Sequence, residues 1–110
     1  MVDTTIVNSV RIYLQKLTES GIFVNYAVVF GSRVRGNYDT WSDIDLLVVS
    51  PRFDEEHKRE DVNMLWRIAA RTDSRIEPFA VGQRQFEEDT SSAIIEIARR
   101  EGQLITLSPV

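Results

Sequence analysis

The stretch Ala27-Val28-Val29-Phe30-Gly31-Ser32-Arg33-Val34-Arg35-Gly36, followed after residues 37–41 by Ser42-Asp43-Ile44-Asp45-Leu46-Leu47-Val48-Val49, decides how this chain is read. Ala27 to Phe30 is an unbroken apolar run, the pattern of a strand covered on both faces. The strand is placed from Ile22 to Phe30 and stopped by Gly31. Ser32 to Ser42 is polar and carries Gly36, which predicts a turn with room for one short helical turn. A second strand then runs from Asp43 to Ser50 and is closed by Pro51.

Helical periods lie on either side of this pair. Ile6, Val7, Val10, Leu14 and Leu17 recur at helical spacing, with Asp3 or Thr4 able to cap the start and Gly21 suited to the position past the end. Downstream, Arg52 to Asp61 carries both signs of charge and reads as a solvated loop or first helical turn, with His57 as surface decoration. Val62, Leu65, Trp66 and Ala69 mark the buried face of a second long helix ending near Thr72. Arg75 to Val81 is short and partly β-like, and Pro78, lacking a backbone donor, confines it to a sheet edge or an irregular strand. A last helix spans about Ser91 to Glu101, with Ile94, Ile97 and Ala98 inward and Gly102 as terminator, and Leu104 to Leu107 adds a short strand. The order predicts an α/β fold, a small mixed sheet flanked by helices, in one domain over residues 1–110.

Composition narrows the chemistry. The chain has 110 residues, 13 basic and 17 acidic side chains, one histidine and no cysteine. Disulfides, thiolate metal sites and multi-histidine zinc clusters are thereby excluded, so any metal would be held mainly by oxygen. A net charge of -4 argues against duplex nucleic acid as partner, because that affinity needs clustered lysine and arginine. The first residues lack the pattern of a secretory signal, and no run of about 18 apolar residues can span a membrane, so the expected location is cytoplasmic.

Side chains two apart on a strand point to the same face with Cα atoms about 6.5–7 Å apart, so Asp43 and Asp45 converge while Ile44, Leu46 and Val48 face the other way. Two anions so placed are costly unless a cation or proton neutralises them. Magnesium, which takes carboxylate oxygens and completes its shell with water and substrate phosphates, answers this best. Just upstream, Gly31 lets backbone amides approach an anion and Ser32 can donate a hydroxyl, which together read as a phosphate cradle. It is not a Walker A loop, since Asn37 and Tyr38 stand where that loop needs lysine and then serine or threonine. Arg33 and Arg35 are candidates for neutralising phosphate charge. A site holding two metals and deprotonating a hydroxyl needs a third carboxylate, for which Glu77, between Ile76 and Pro78, is the candidate. Trp41 is read as a core or lid residue before a base-stacking one.

Gly31-Ser32, ten intervening residues, then Asp43-Ile44-Asp45 resembles the signature of the minimal nucleotidyltransferase (MNT) domains of the DNA polymerase beta superfamily, and Arg33-Val34-Arg35-Gly36 extends the match. The strongest part spans Phe30 to Val49. The resemblance implies that Asp43 and Asp45 hold two magnesium ions, Gly31 and Ser32 bind the triphosphate, and Glu77 helps to hold metal and activate the acceptor. The family's third acid is commonly aspartate, so a glutamate followed by proline is a departure. The implied reaction transfers a nucleoside monophosphate, AMP from ATP, to a hydroxyl. Compact prokaryotic members resemble the antitoxins of HEPN/MNT toxin–antitoxin pairs, which implies a tyrosine of a HEPN-domain toxin as acceptor and an assembly with itself or that partner. Two alternatives stay open: an antitoxin that neutralises its partner by binding alone, and a transferase acting on a small aminoglycoside-type molecule.

Overall fold

In the computed structural model, which describes residues 2–107, a four-stranded sheet lies between two layers of helix. The elements in chain order are α1 (Thr4–Glu19), β1 (Tyr26–Phe30), α2 (Ser32–Arg35), β2 (Ile44–Val49), α3 (Arg52–Glu55), α4 (Arg59–Thr72), β3 (Ile76–Val81), α5 (Gln83–Glu88), α6 (Ala93–Glu101) and β4 (Gln103–Ile105). The sheet order is β3-β2-β1-β4; β1 is antiparallel to β2 and β4, and β2 is parallel to β3. The mixed sheet flanked by helices is therefore as expected. Among the described residues no helix is long and apolar enough to cross a membrane.

The central strands are apolar throughout because each face has its own core. Ala27, Val29, Ile44, Leu46 and Val48 pack with Ile6, Val10, Leu14 and Leu17 of α1 and Leu65 and Ala69 of α4. Val28, Phe30, Leu47 and Val49 pack on the other side with Ile95 and Ala98 of α6. Asp3 caps α1, its carboxylate accepting from the Thr5 amide at 2.7 Å. Pro78 sits in β3, an edge strand, where its missing donor is tolerated.

Several boundaries differ from the sequence reading. The first strand begins at Tyr26, not Ile22: its partner β2 ends at Val49 opposite Tyr26, so the chain upstream has no strand to pair with. Ile22 and Val24 are buried as a connection, which leaves α1 through Gly21 at φ +96°. The second strand starts at Ile44, leaving Asp43 one residue outside it.

The charged segment is not merely solvated. It folds as α3 with Phe53 buried, and Arg52 grips the buried Asp61 through two hydrogen bonds of 2.9 Å. His57 is exposed, edge-on to Phe53. Trp66 lies on the outer side of α4, 45% exposed, because Leu65 and Ala69 already define the inward stripe. In α6 the buried residues are Ile95 and Ala98, the latter as expected, while Ile94 is exposed and Ile97 half-buried. The last strand spans Gln103–Ile105, in place of Leu104 to Leu107.

Helix α5 carries no strong sequence signal and is capped from outside: the Asp54 carboxylate of α3 accepts from the amides of Arg84 and Gln85 at 3.1 and 3.3 Å. Phe86 of α5 then meets Tyr26 edge to face at 5.8 Å.

Candidate active site

Three carboxylates meet at one end of the sheet. Asp45, the second residue of β2, lies opposite Phe30 of β1 on one side and Glu77 of β3 on the other. Directly opposed residues of a ladder share a face, so Asp45 and Glu77 stand side by side. Asp43, two residues earlier, adds an exposed carboxylate. The Glu77 carboxyl is pushed above its ordinary 4.5, first by burial, then by hydrogen bonding with Asp45 and by the charges of Asp43 and Asp45. Below them, the Phe30 and Phe79 rings pack 5.9 Å apart and form an apolar floor. The three acids expected from the sequence are thus brought together.

Gly31 joins this cluster to the end of β1. Its backbone has φ +79° and ψ -147°, a conformation open essentially to glycine alone. A Cβ there would also stand 2.5 Å from Asp45 Oδ2. The bend it makes starts α2, whose Val34 and Arg35 amides both donate to the Gly31 carbonyl at 3.1 Å. Ser32, half-buried, is the first residue of that turn, and Gly36 at φ +87° ends it. Gly31 therefore sits directly against Asp45, with Ser32 next to it in the chain.

The two arginines have different surroundings. Arg35 is exposed, with its guanidinium 3.7 Å from Glu101. Arg33 is only 4% exposed. Its Nη2 donates to the carbonyls of Thr40 at 3.2 Å and Ser42 at 2.8 Å, and its guanidinium lies 4.7 Å above the Tyr38 ring. Trp41 is not a core residue; it is 83% exposed on the turn between Asp39 and Ser42. Sequence reasoning missed Arg75, which holds the same turn through a 2.9 Å bond to the Thr40 carbonyl. The Asp73-x-Arg75 spacing announces only the local ion pair, at 2.7 Å. A neighbouring cavity of about 300 Å³ is bounded by Asp3, Arg33, Tyr38 and Arg75, and by none of the three acids.

The donor set suits a hard divalent cation. All three groups are carboxylates, the oxygen donors such an ion takes, and the Glu77 carboxyl is raised first by burial and then by its two acidic neighbours. Among the described residues no three histidine, cysteine or acidic side chains form a ready-made metal cage.

Comparison with known proteins identifies the family and the fold. The family model described as "nucleotidyltransferase domain" matches residues 10–104, and the chain belongs to that family. Two solved structures share the fold. A candidate nucleotidyltransferase from Sulfolobus solfataricus is 17% identical with a TM-score of 0.59, over 89% of this chain and 77% of that one. A toxin–antitoxin complex with AMP-PNP is 18% identical with a TM-score of 0.58, over 89% of this chain and 73% of that one. No curated protein matches the sequence significantly.

Proposed function

We propose that the chain is a magnesium-dependent nucleotidyltransferase that moves AMP from ATP to a hydroxyl, the acceptor being a tyrosine of a HEPN-domain toxin that the chain thereby neutralises as an antitoxin. The observation that carries the transfer reading is the meeting of Asp43, Asp45 and Glu77 against Gly31. Family membership and the fold shared with a toxin–antitoxin complex holding an ATP analogue support the choice of nucleotide and partner.

In this reading the acceptor oxygen attacks the α-phosphorus, the bond from that phosphorus to the bridging oxygen breaks, and pyrophosphate leaves. Asp43, Asp45 and Glu77 would hold magnesium, which supplies charge neutralisation and alignment of the triphosphate when bound. Gly31 and Ser32 seat the phosphates: the missing side chain permits close approach, and the hydroxyl donates to a phosphate oxygen. Glu77, as carboxylate, accepts the hydroxyl proton.

The test is incubation with labelled ATP, magnesium and the HEPN partner, followed by intact mass. An AMP adduct on the partner that requires Asp43 and Asp45 supports the proposal, and transfer that persists in the Asp43→Asn/Asp45→Asn double variant overturns it. If that double variant transfers nothing yet still neutralises the partner fully, binding alone is the antitoxin mechanism.

A further inference from the structure

We propose that Arg33 is a positioning residue that sets the direction of Asp43, and that it does so through the backbone and not by touching nucleotide. The inference rests on the nucleotidyl-transfer reading above.

Asp43 precedes β2 and therefore lacks the ladder that fixes Asp45. Both peptide planes that flank it are nevertheless held. The carbonyl of Ser42, which belongs to the Ser42–Asp43 peptide, accepts from Arg33 Nη2 at 2.8 Å. The amide of Ile44, which belongs to the Asp43–Ile44 peptide, donates to the Arg75 carbonyl at 2.7 Å. With two planes fixed, the Cα–Cβ direction of Asp43 is fixed as well, because the backbone has only two soft torsions per residue.

The rest of the turn is tied to the same guanidinium. Arg33 and Arg75 converge on the Thr40 carbonyl, at 3.2 and 2.9 Å. Asp39 closes the turn from within, its carboxylate accepting from the Trp41 amide at 2.9 Å. Arg33 is buried, and among the described residues its Nε has no hydrogen-bond partner. A buried cation left short of partners is costly, so its presence under this turn calls for a task that an apolar side chain could not perform. Bonding two carbonyls at once while stacking on Tyr38 is such a task, and the planar fork of arginine suits it where the point charge of lysine does not. Misplacing a group that orients reactants by about 1 Å can cost on the order of 100-fold in rate.

The experiment uses Mn²⁺ alone as probe, titrated without nucleotide and followed by electron paramagnetic resonance, with Arg33→Met, Arg33→Lys and Asp43→Asn beside the wild type. Folding is checked by circular dichroism, and ATP affinity is measured separately without divalent ion. The expected result is Mn²⁺ binding weakened about tenfold in Asp43→Asn and at least fivefold in Arg33→Met, with Arg33→Lys between that variant and wild type, and ATP affinity in the Arg33 variants within twofold of wild type. In a Trp66→Phe background, Arg33→Lys also lowers the fluorescence anisotropy of Trp41. Wild-type Mn²⁺ affinity in Arg33→Met, or in Arg33→Lys should Arg33→Met not fold, overturns the inference. So does a loss of ATP affinity with Mn²⁺ binding intact, which would make Arg33 a phosphate ligand. Unchanged Mn²⁺ binding in Asp43→Asn would instead remove the metal-site reading itself.

Discussion

Gly31 and Asp45 occupy one another's space: a single added methyl group on Gly31 would stand 2.5 Å from the Asp45 carboxylate. The turn after β1 and the acid on β2 therefore form one structural unit, and the residue that lets the chain bend also makes room for the group that would do the chemistry.

Gly31→Ala should consequently harm the site more than the fold. The positive φ costs about 1–3 kcal/mol for a residue with a side chain, and the Asp45 carboxylate, as the flexible partner, is displaced. Urea unfolding should report that modest loss, while nucleotide transfer should fall by about 100-fold or more.

The acids themselves should behave as a set. Asp43→Asn and Asp45→Asn are each expected to lower transfer by about 10²–10³-fold, the scale on which losing one charge-stabilising group acts. Chelation of divalent ions should bring the wild type to the same level. Transfer assays with and without a chelator read both effects.

Glu77→Gln gives a pH signature. Because the folded protein holds the Glu77 proton more tightly than the unfolded chain, stability from this group is present in acid and is lost as pH rises above about 4.5. In the presence of a chelator, Glu77→Gln should therefore melt above wild type at neutral pH, and the gap should close near pH 4. Magnesium should raise the melting temperature of wild type and do so far less for the variant. Thermal melts across pH, with and without magnesium, test each part.

The Arg52–Asp61 pair should be unequal when broken from its two ends. Asp61 is buried and Arg52 half-exposed, so Arg52→Met strands a carboxylate and should cost about 1–3 kcal/mol. Asp61→Asn keeps a hydrogen-bonding group in place and should cost less. Chemical denaturation of the two variants decides the order.

Much of the architecture was legible because it rests on local pattern. Val10, Leu14 and Leu17 recur at the helical period and are all buried in α1, and Ala27 to Phe30 is apolar at every position because both faces of β1 are covered. Patterns misled where one turn of helix could be phased two ways: Ile94 and Ile95 are adjacent and identical, and only contact with β1 places Ile95 inward. Helix α5 was missed because its first turn is capped by Asp54 from α3, a partner about thirty residues away in sequence.

The spacing of Gly31, Ser32, Asp43 and Asp45 was legible in the sequence alone, whereas the direction of Asp43, just before β2, depends on hydrogen bonds to its flanking peptides. That Glu77 joins them, that Arg33 turns inward to hold Thr40 and Ser42, and that Trp41 is left in solvent were decided by the tertiary structure. The physical reason is that strand register and long-range hydrogen bonds to backbone carbonyls depend on which segments are brought side by side, and a carbonyl has the same donor preference in every residue of the chain.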